Sequence, residues 1–207
     1  MENLDMKKTL KHLYAPSAKD VGVVSVSPMY YLMVDGEGNP NTAPSYPQAV
    51  AALYSLSYAL RAMSKAANQV FTVMPLEGLW AFKGTQKEPF DITEADKDRF
   101  IWTMMILQPQ HITAAMVNQA LETVHKKATN ALLDTVRFEC YDEGEAVQIM
   151  HLGPYSTEAP TVAKLHNTVA ENGWQLCGKH HEIYLSDPRK VAPEKMKTII
   201  RQPFARS

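Results

Sequence analysis

The chain spells one order of elements twice, and that repetition constrains its fold more than any other feature. In the first half a strand-like run at 30–34 passes through Asp35-Gly36-Glu37-Gly38 into an amphipathic helix, and strand-like runs at 79–82 and 100–107 follow. In the second half a run at 146–152 passes through Gly153-Pro154 into a helix, followed by runs at 182–185 and 197–202. The closing runs share a spelling, Met105-Ile106-Leu107-Gln108-Pro109 against Ile199-Ile200-Arg201-Gln202-Pro203. The repetition predicts an α+β fold of tandem strand-helix-strand-strand modules, related by a pseudo-two-fold axis, with a central ligand cleft. Residues 1–207 are expected to form a single domain. Its first half-module covers about 20–110, a bridging helix about 111–135 and the second half-module 136–207.

The helices carry the clearest signals. Ser45-Tyr46-Pro47-Gln48 has the spelling of a capping box with proline in the first turn. Behind it Ala49, Ala52, Leu53, Leu56, Ala59, Leu60 and Met63 recur at three- and four-residue steps, which predicts a helix over 46–67. A second helix is expected over 113–130, with Val117, Leu121, Val124 and Ala128 on one face. A third is expected from 156 to the Asn172-Gly173 cap, with Val162, Leu165, His166 and Val169 inward. Further strands are expected at 70–74 and 136–141. Each module is expected to cover one sheet face with its helix, and the bare faces to meet across a groove.

Strand alternation then nominates a site. In His181-Glu182-Ile183-Tyr184-Leu185, Ile183 and Leu185 share one face, taken to lie under the helices. Glu182 and Tyr184 share the other, taken to face the groove. In the equivalent run Trp80 and Phe82 share the groove face, and Trp102 and Met104 supply another alternate row. A carboxylate between apolar neighbours is exposed, paired or functional. An apolar cleft with few converging polar groups is the usual form of a small-molecule site. Ligand-binding candidates are therefore Trp80, Trp102, Met104, Tyr155, Tyr184 and Phe82 around Glu182.

Other functions lack their signatures. The net charge is −1, with Lys and Arg nowhere concentrated, which argues against a nucleic-acid partner. No apolar run approaches the ~20 residues of a membrane span, and the polar start lacks the pattern of a leader peptide, so a cytoplasmic address is expected. Cys140 and Cys177 form neither a disulfide framework nor a zinc pattern. His181 and Glu182 point to opposite faces of a strand, so no metal site is expected. No glycine-rich phosphate loop and no nucleophile elbow occurs, and no cofactor is expected.

The segments Met74-Pro75-Leu76-Glu77-Gly78-Leu79-Trp80, Trp102-Thr103-Met104-Met105-Ile106-Leu107-Gln108-Pro109 and His181-Glu182-Ile183-Tyr184-Leu185-Ser186-Asp187-Pro188-Arg189 resemble the stand-alone GyrI-like small-molecule-binding domain family. The resemblance runs from about residue 20 to the end of the sequence. It implies the same tandem fold and a ligand that is bulky, flat and hydrophobic or cationic. The chain further resembles members that hydrolyse cyclopropane-containing, DNA-alkylating compounds. That likeness implies Glu182 as the general base, Trp80 and Trp102 as plates sandwiching the ligand, and Tyr155 or Tyr184 as donor to the forming oxyanion. A non-catalytic binder that sequesters or senses its ligand, with Glu182 as counter-charge, is the alternative.

Overall fold

The structure, a computed structural model, describes residues 3–84, 94–127 and 129–206. Five α-helices appear among the described residues: α1 (Met6–Thr9), α2 (Lys11–Tyr14), α3 (Ser45–Ala66), α4 (Ala114–His125) and α5 (Ala159–Glu171). The strands are β1 (Gly22–Val26), β2 (Met29–Glu37), β3 (Glu77–Phe82), β4 (Phe100–Leu107), β5 (Arg137–Tyr141), β6 (Gly144–Leu152), β7 (Gln175–Leu176), β8 (His180–Tyr184) and β9 (Lys197–Ala205). None of the described helices is long and apolar enough to cross a membrane.

The duplication is visible in the strand order β1-β6-β9-β8-β3-β4-β2-β5, with β7 added to β9. The units β2-α3-β3-β4 and β6-α5-β8-β9 occupy symmetric places on either side of the β3–β8 seam. The halves also exchange strands: β1 pairs with β6, and β5 pairs with β2. The predicted pair of facing sheets is not what forms. Backbone pairing of Glu77–Trp80 with Ile183–His180 joins the modules edge to edge into one antiparallel sheet. Pairing the two inner edges satisfies backbone groups that separate sheets would leave open.

A second correction concerns the faces. Residues opposed across antiparallel strands share a face. Val34, Met104, Gly78, Glu182, Ile200 and Ile149 are linked by successive pairings, so they lie on one side. That is also the helical side, because Tyr46 of α3 packs on Trp80 and Trp102, and α5 sets Val162, Leu165 and Val169 against Val147, Ile149 and Ile200. Ile183 lies on the opposite side, which the α1–α2 arm covers. The Tyr14 hydroxyl donates to Glu77 there, and the Leu13 carbonyl accepts from Arg201. Both faces of the sheet are thus covered, and apolar alternation alone did not reveal which face the long helices take.

Local outcomes are mixed. Helix α3 forms over nearly the predicted span, but Pro44 holds the cap position and Ser45 makes no capping bond. Helix α4 is shorter than expected; it buries Val117 and Val124 and leaves Leu121 half-buried, and Ala128 lies outside the described residues. Gly173, at φ +71°, takes the left-handed conformation expected after α5. The run at 70–74 is no strand; Phe71 makes only an isolated parallel bridge to Leu4. Strand β1 was not anticipated.

Candidate functional site

Glu182 lies near the seam between the modules, in register with Gly78 on β3 and Ile200 on β9. Its carboxylate is held at both oxygens. His180 Nε2 lies 3.2 Å from Oε1, and the Tyr184 hydroxyl donates to Oε2 at 2.8 Å. Trp80 Nε1–H in turn donates to the Tyr184 oxygen at 2.9 Å. The relay Trp80–Tyr184–Glu182 therefore crosses from one half of the molecule to the other. The Glu182 side chain keeps 17% of its exposure, so it is sheltered yet reachable from solvent.

Gly78 makes this relay possible. A Cβ there would stand 2.7 Å from Trp80 Nε1, 3.1 Å from the Tyr184 hydroxyl and 3.2 Å from Met104 Cε. Only a glycine leaves the indole and phenol room to meet beside the carboxylate.

The aromatic candidates separate into rim and foundation. Trp80 stacks against Tyr46 with ring centroids 6.2 Å apart and meets Phe100 edge-on at 5.2 Å. Tyr155 is 41% exposed and packs edge-on against Tyr184 at 5.7 Å. Phe82 is half-buried at the far end of β3, tilted against Phe100. Trp102 and Met104 share the Glu182 side of the sheet but lie on its helical side and are wholly buried. The Trp102 ring fills the space a Cβ would need at Gly36, and Tyr46 meets it edge-on at 5.3 Å. Trp80 and Trp102 are direct register partners on adjacent strands. Such side chains stand side by side, so these two cannot sandwich a ligand as expected. Tyr46 is the ring that faces Trp80.

Three residues of this cluster escaped the sequence reading. Tyr46 looked like part of a helix start. Glu158, at the N-cap of α5, carries no sequence signal of its own. Thr198 sat in a strand with no partner in view. Burial, then Glu182, raises the Tyr46 hydroxyl well above the ordinary tyrosine range. The same two causes raise Tyr184. Burial, then the Glu158 charge, brings Tyr155 up to about 12. Burial and then Glu182 push the Glu158 carboxyl up to about 9, against a smaller lowering by the Thr198 hydroxyl. At neutral pH the phenols of the cluster are therefore neutral.

On the opposite face His181 joins a separate, fully buried network. Its Nδ1 lies 2.7 Å from Glu143 and its Nε2 3.0 Å from Glu77, while Arg201 donates to Glu143 at 2.9 Å and to Gln148 at 3.0 Å. His181 and Glu182 thus point apart as alternation requires. No group of three or more His, Cys, Asp or Glu among the described residues is arranged to hold a metal. His151 is satisfied by Thr161 at 2.9 Å and by Thr157 at 3.2 Å, locking the Gly153-Pro154 turn onto α5. Two surface hollows, of about 330 and 410 Å³, lie beside the start of α3 and beside α5, and no candidate residue lines either.

The family model of the GyrI-like small-molecule-binding domain matches residues 19–204. An uncharacterized conserved protein from Listeria innocua is 39% identical, with a TM-score of 0.89, over 98% of this chain and 100% of that one. A hydrolase from Listeria innocua is 38% identical, with a TM-score of 0.84, over 98% and 100% of the two chains. The EcmrR C-terminal domain, at 12% identity and a TM-score of 0.55 over 91% and 98%, shares the fold. No curated protein sequence matches the chain. The family match spans both modules, the seam and the carboxylate between them, and the chain belongs to the GyrI-like small-molecule-binding domain family.

Proposed function

We propose that this protein binds a bulky, flat, hydrophobic or cationic small molecule beside Glu182 and hydrolyses a reactive one of the cyclopropanoid class. The observation that carries the reading is the Glu182 carboxylate, oriented at both oxygens by His180 and Tyr184 and still open to solvent. Two donors fix the carboxylate's direction while leaving lone pairs to accept a proton. That is what a general base needs in order to direct water at a carbon. Water attacks the strained ring carbon, the ring bond breaks, and its electrons move into the conjugated carbonyl. Because the Tyr184 proton is already directed at Glu182, Tyr155 at the rim is the phenol placed to hydrogen-bond the forming oxyanion. Trp80 and Tyr46 supply the apolar surface for the flat ligand. Relatives that include a hydrolase support the same direction.

The test is incubation of the purified protein with a panel of flat cationic dyes and spirocyclopropane dienones, followed by mass spectrometry. The reading expects dyes recovered unchanged from a bound complex, and a dienone product heavier by one water. Dienones recovered unchanged from a tight complex would instead establish a sequestering or sensing binder, with Glu182 as counter-charge.

A further inference from the structure

The N-terminal arm ends in a closed circuit of polar groups on the side of the sheet away from Glu182. The Tyr14 hydroxyl donates to Glu77 Oε1 at 2.7 Å, and Glu77 Oε2 lies 3.0 Å from His181 Nε2. His181 Nδ1 lies 2.7 Å from Glu143 Oε1, and Arg201 donates from Nη1 to Glu143 Oε2 at 2.9 Å. From Nη2 the same Arg201 returns to the arm, donating to the Leu13 carbonyl at 2.9 Å. Gln148 accepts from Arg201 Nε and donates to the His12 carbonyl at 2.8 Å. Tyr14, Glu77, Glu143, Gln148, His181 and Arg201 are all buried. Burying ion pairs costs about as much as they return, and apolar side chains of similar volume hold an arm at least as well. What directional bonds add is one fixed geometry.

That geometry reaches the site through the sheet. Glu77 and His181 stand diagonally across the β3–β8 seam, where Glu77 is in register with Ile183 and Leu79 with His181. Each is the chain neighbour of a residue that shapes the site: Glu77 precedes Gly78, and His181 precedes Glu182. Neighbours on a strand point to opposite faces. The seam is therefore tied twice, by Glu77–His181 on one face and by Trp80–Tyr184–Glu182 on the other. The second tie has no slack, because Trp80 Nε1 and the Tyr184 hydroxyl already take the space of a Cβ at Gly78, at 2.7 and 3.1 Å. Functional groups have to be held within about 0.5 Å of their working positions. A small slip of β3 along β8 is enough to break the relay.

We propose that Tyr14 is a positioning residue for the site on the other face of the sheet. Through Glu77 and His181 it fixes β3 against β8, and so sets the Trp80–Tyr184–Glu182 relay. The placement of the relay is independent of the hydrolase reading, whereas its effect on rate rests on that reading.

The experiment compares the wild type with Tyr14→Phe, Tyr184→Phe, the double variant and Asn3→Ala, which removes the arm's bond to Thr72 outside the circuit. Indole N–H resonances are read by proton NMR, the Trp80 signal being the one lost in Trp80→Phe. Tyr14→Phe is expected to move that signal upfield as the bond to Tyr184 lengthens, and to leave the Trp174 signal in place. Asn3→Ala is expected to move neither. Ring opening of a bound spirocyclopropane dienone is expected to slow about tenfold in Tyr14→Phe at unchanged Kd. The double variant is expected to be no slower than Tyr184→Phe alone, because both changes act on one relay. An unmoved Trp80 signal in Tyr14→Phe, or an equal shift in Asn3→Ala, overturns the proposal. Losses that multiply in the double variant overturn it as well, since the two residues then act independently. A wild type that binds the dienone without opening it sinks the hydrolase reading, and the Trp80 signal then decides for or against Tyr14.

Discussion

Gly78 places the Trp80 indole, the Tyr184 phenol and the Glu182 carboxylate within reach of one another, and its missing side chain is what they share. Gly78→Ala would put a methyl 2.7 Å from Trp80 Nε1 and 3.1 Å from the Tyr184 hydroxyl, so the indole or phenol must move. The expected outcome is at least a tenfold loss of ligand affinity, about 1.4 kcal/mol, measured by titration of tryptophan emission. Tyr184→Phe is a subtler change at the same place. It removes the donor to Glu182 Oε2 and the acceptor for Trp80 while keeping the ring. Ligand affinity should change little, whereas turnover should fall because the base is no longer aimed. Measuring Kd and kcat on the same preparation separates the two effects.

Strand β8 sends His180, Glu182 and Tyr184 to one face of the sheet and His181 to the other. Glu182 is held by His180 and Tyr184, whereas His181 sits between Glu143 and Glu77 in the network beneath the N-terminal arm. Burial alone would depress the His181 imidazole, but Glu143 and then Glu77 outweigh it and hold the group up at about 9. Glu143 is penalised by burial, yet His181 and Arg201 bring it down to about 2. The folded-state value of His181 lies above its ordinary 6.5, so its contribution is complete below that pH and is lost as pH rises through about 9. Glu143 lies below its ordinary 4.5, so its contribution is complete above that value and fades as pH falls towards about 2. Thermal melts across pH should show stability falling as pH drops below 4.5 and declining above 6.5, and the alkaline decline should be shallower in His181→Gln, which is less stable than the wild type below 6.5. The elements behind this behaviour were legible in part. The three-and-four spacing from Ala49 to Met63 and the alternation around Glu182 each identified a real element. The same alternation could not say which face of β8 the helices cover, because Ile183 and Ile200 are equally apolar on opposite sides. Nor could it give the register that sets Trp80 beside Trp102, or reveal that Tyr46 and Glu158 meet this surface from helices.

The whole molecule is held together by exchange between its halves. Strand β1 of the first half pairs with β6 of the second, β5 of the second pairs with β2 of the first, and β3 pairs with β8 at the centre. Residues 1–110 and 136–207 expressed separately should therefore lack cooperative thermal unfolding by circular dichroism, and co-expression should restore it. The site has the same dependence, since Trp80 comes from one half and Glu182 with Tyr184 from the other. All of the proposed chemistry depends on that single carboxylate acting on water rather than only balancing a ligand's charge. The direct measurement is single-turnover ring opening of a bound spirocyclopropane dienone in the wild type and in Glu182→Gln, with Kd determined for each. The account predicts an unchanged Kd and a rate at least about 100-fold lower in the variant; equal rates, or binding lost together with turnover, would contradict it.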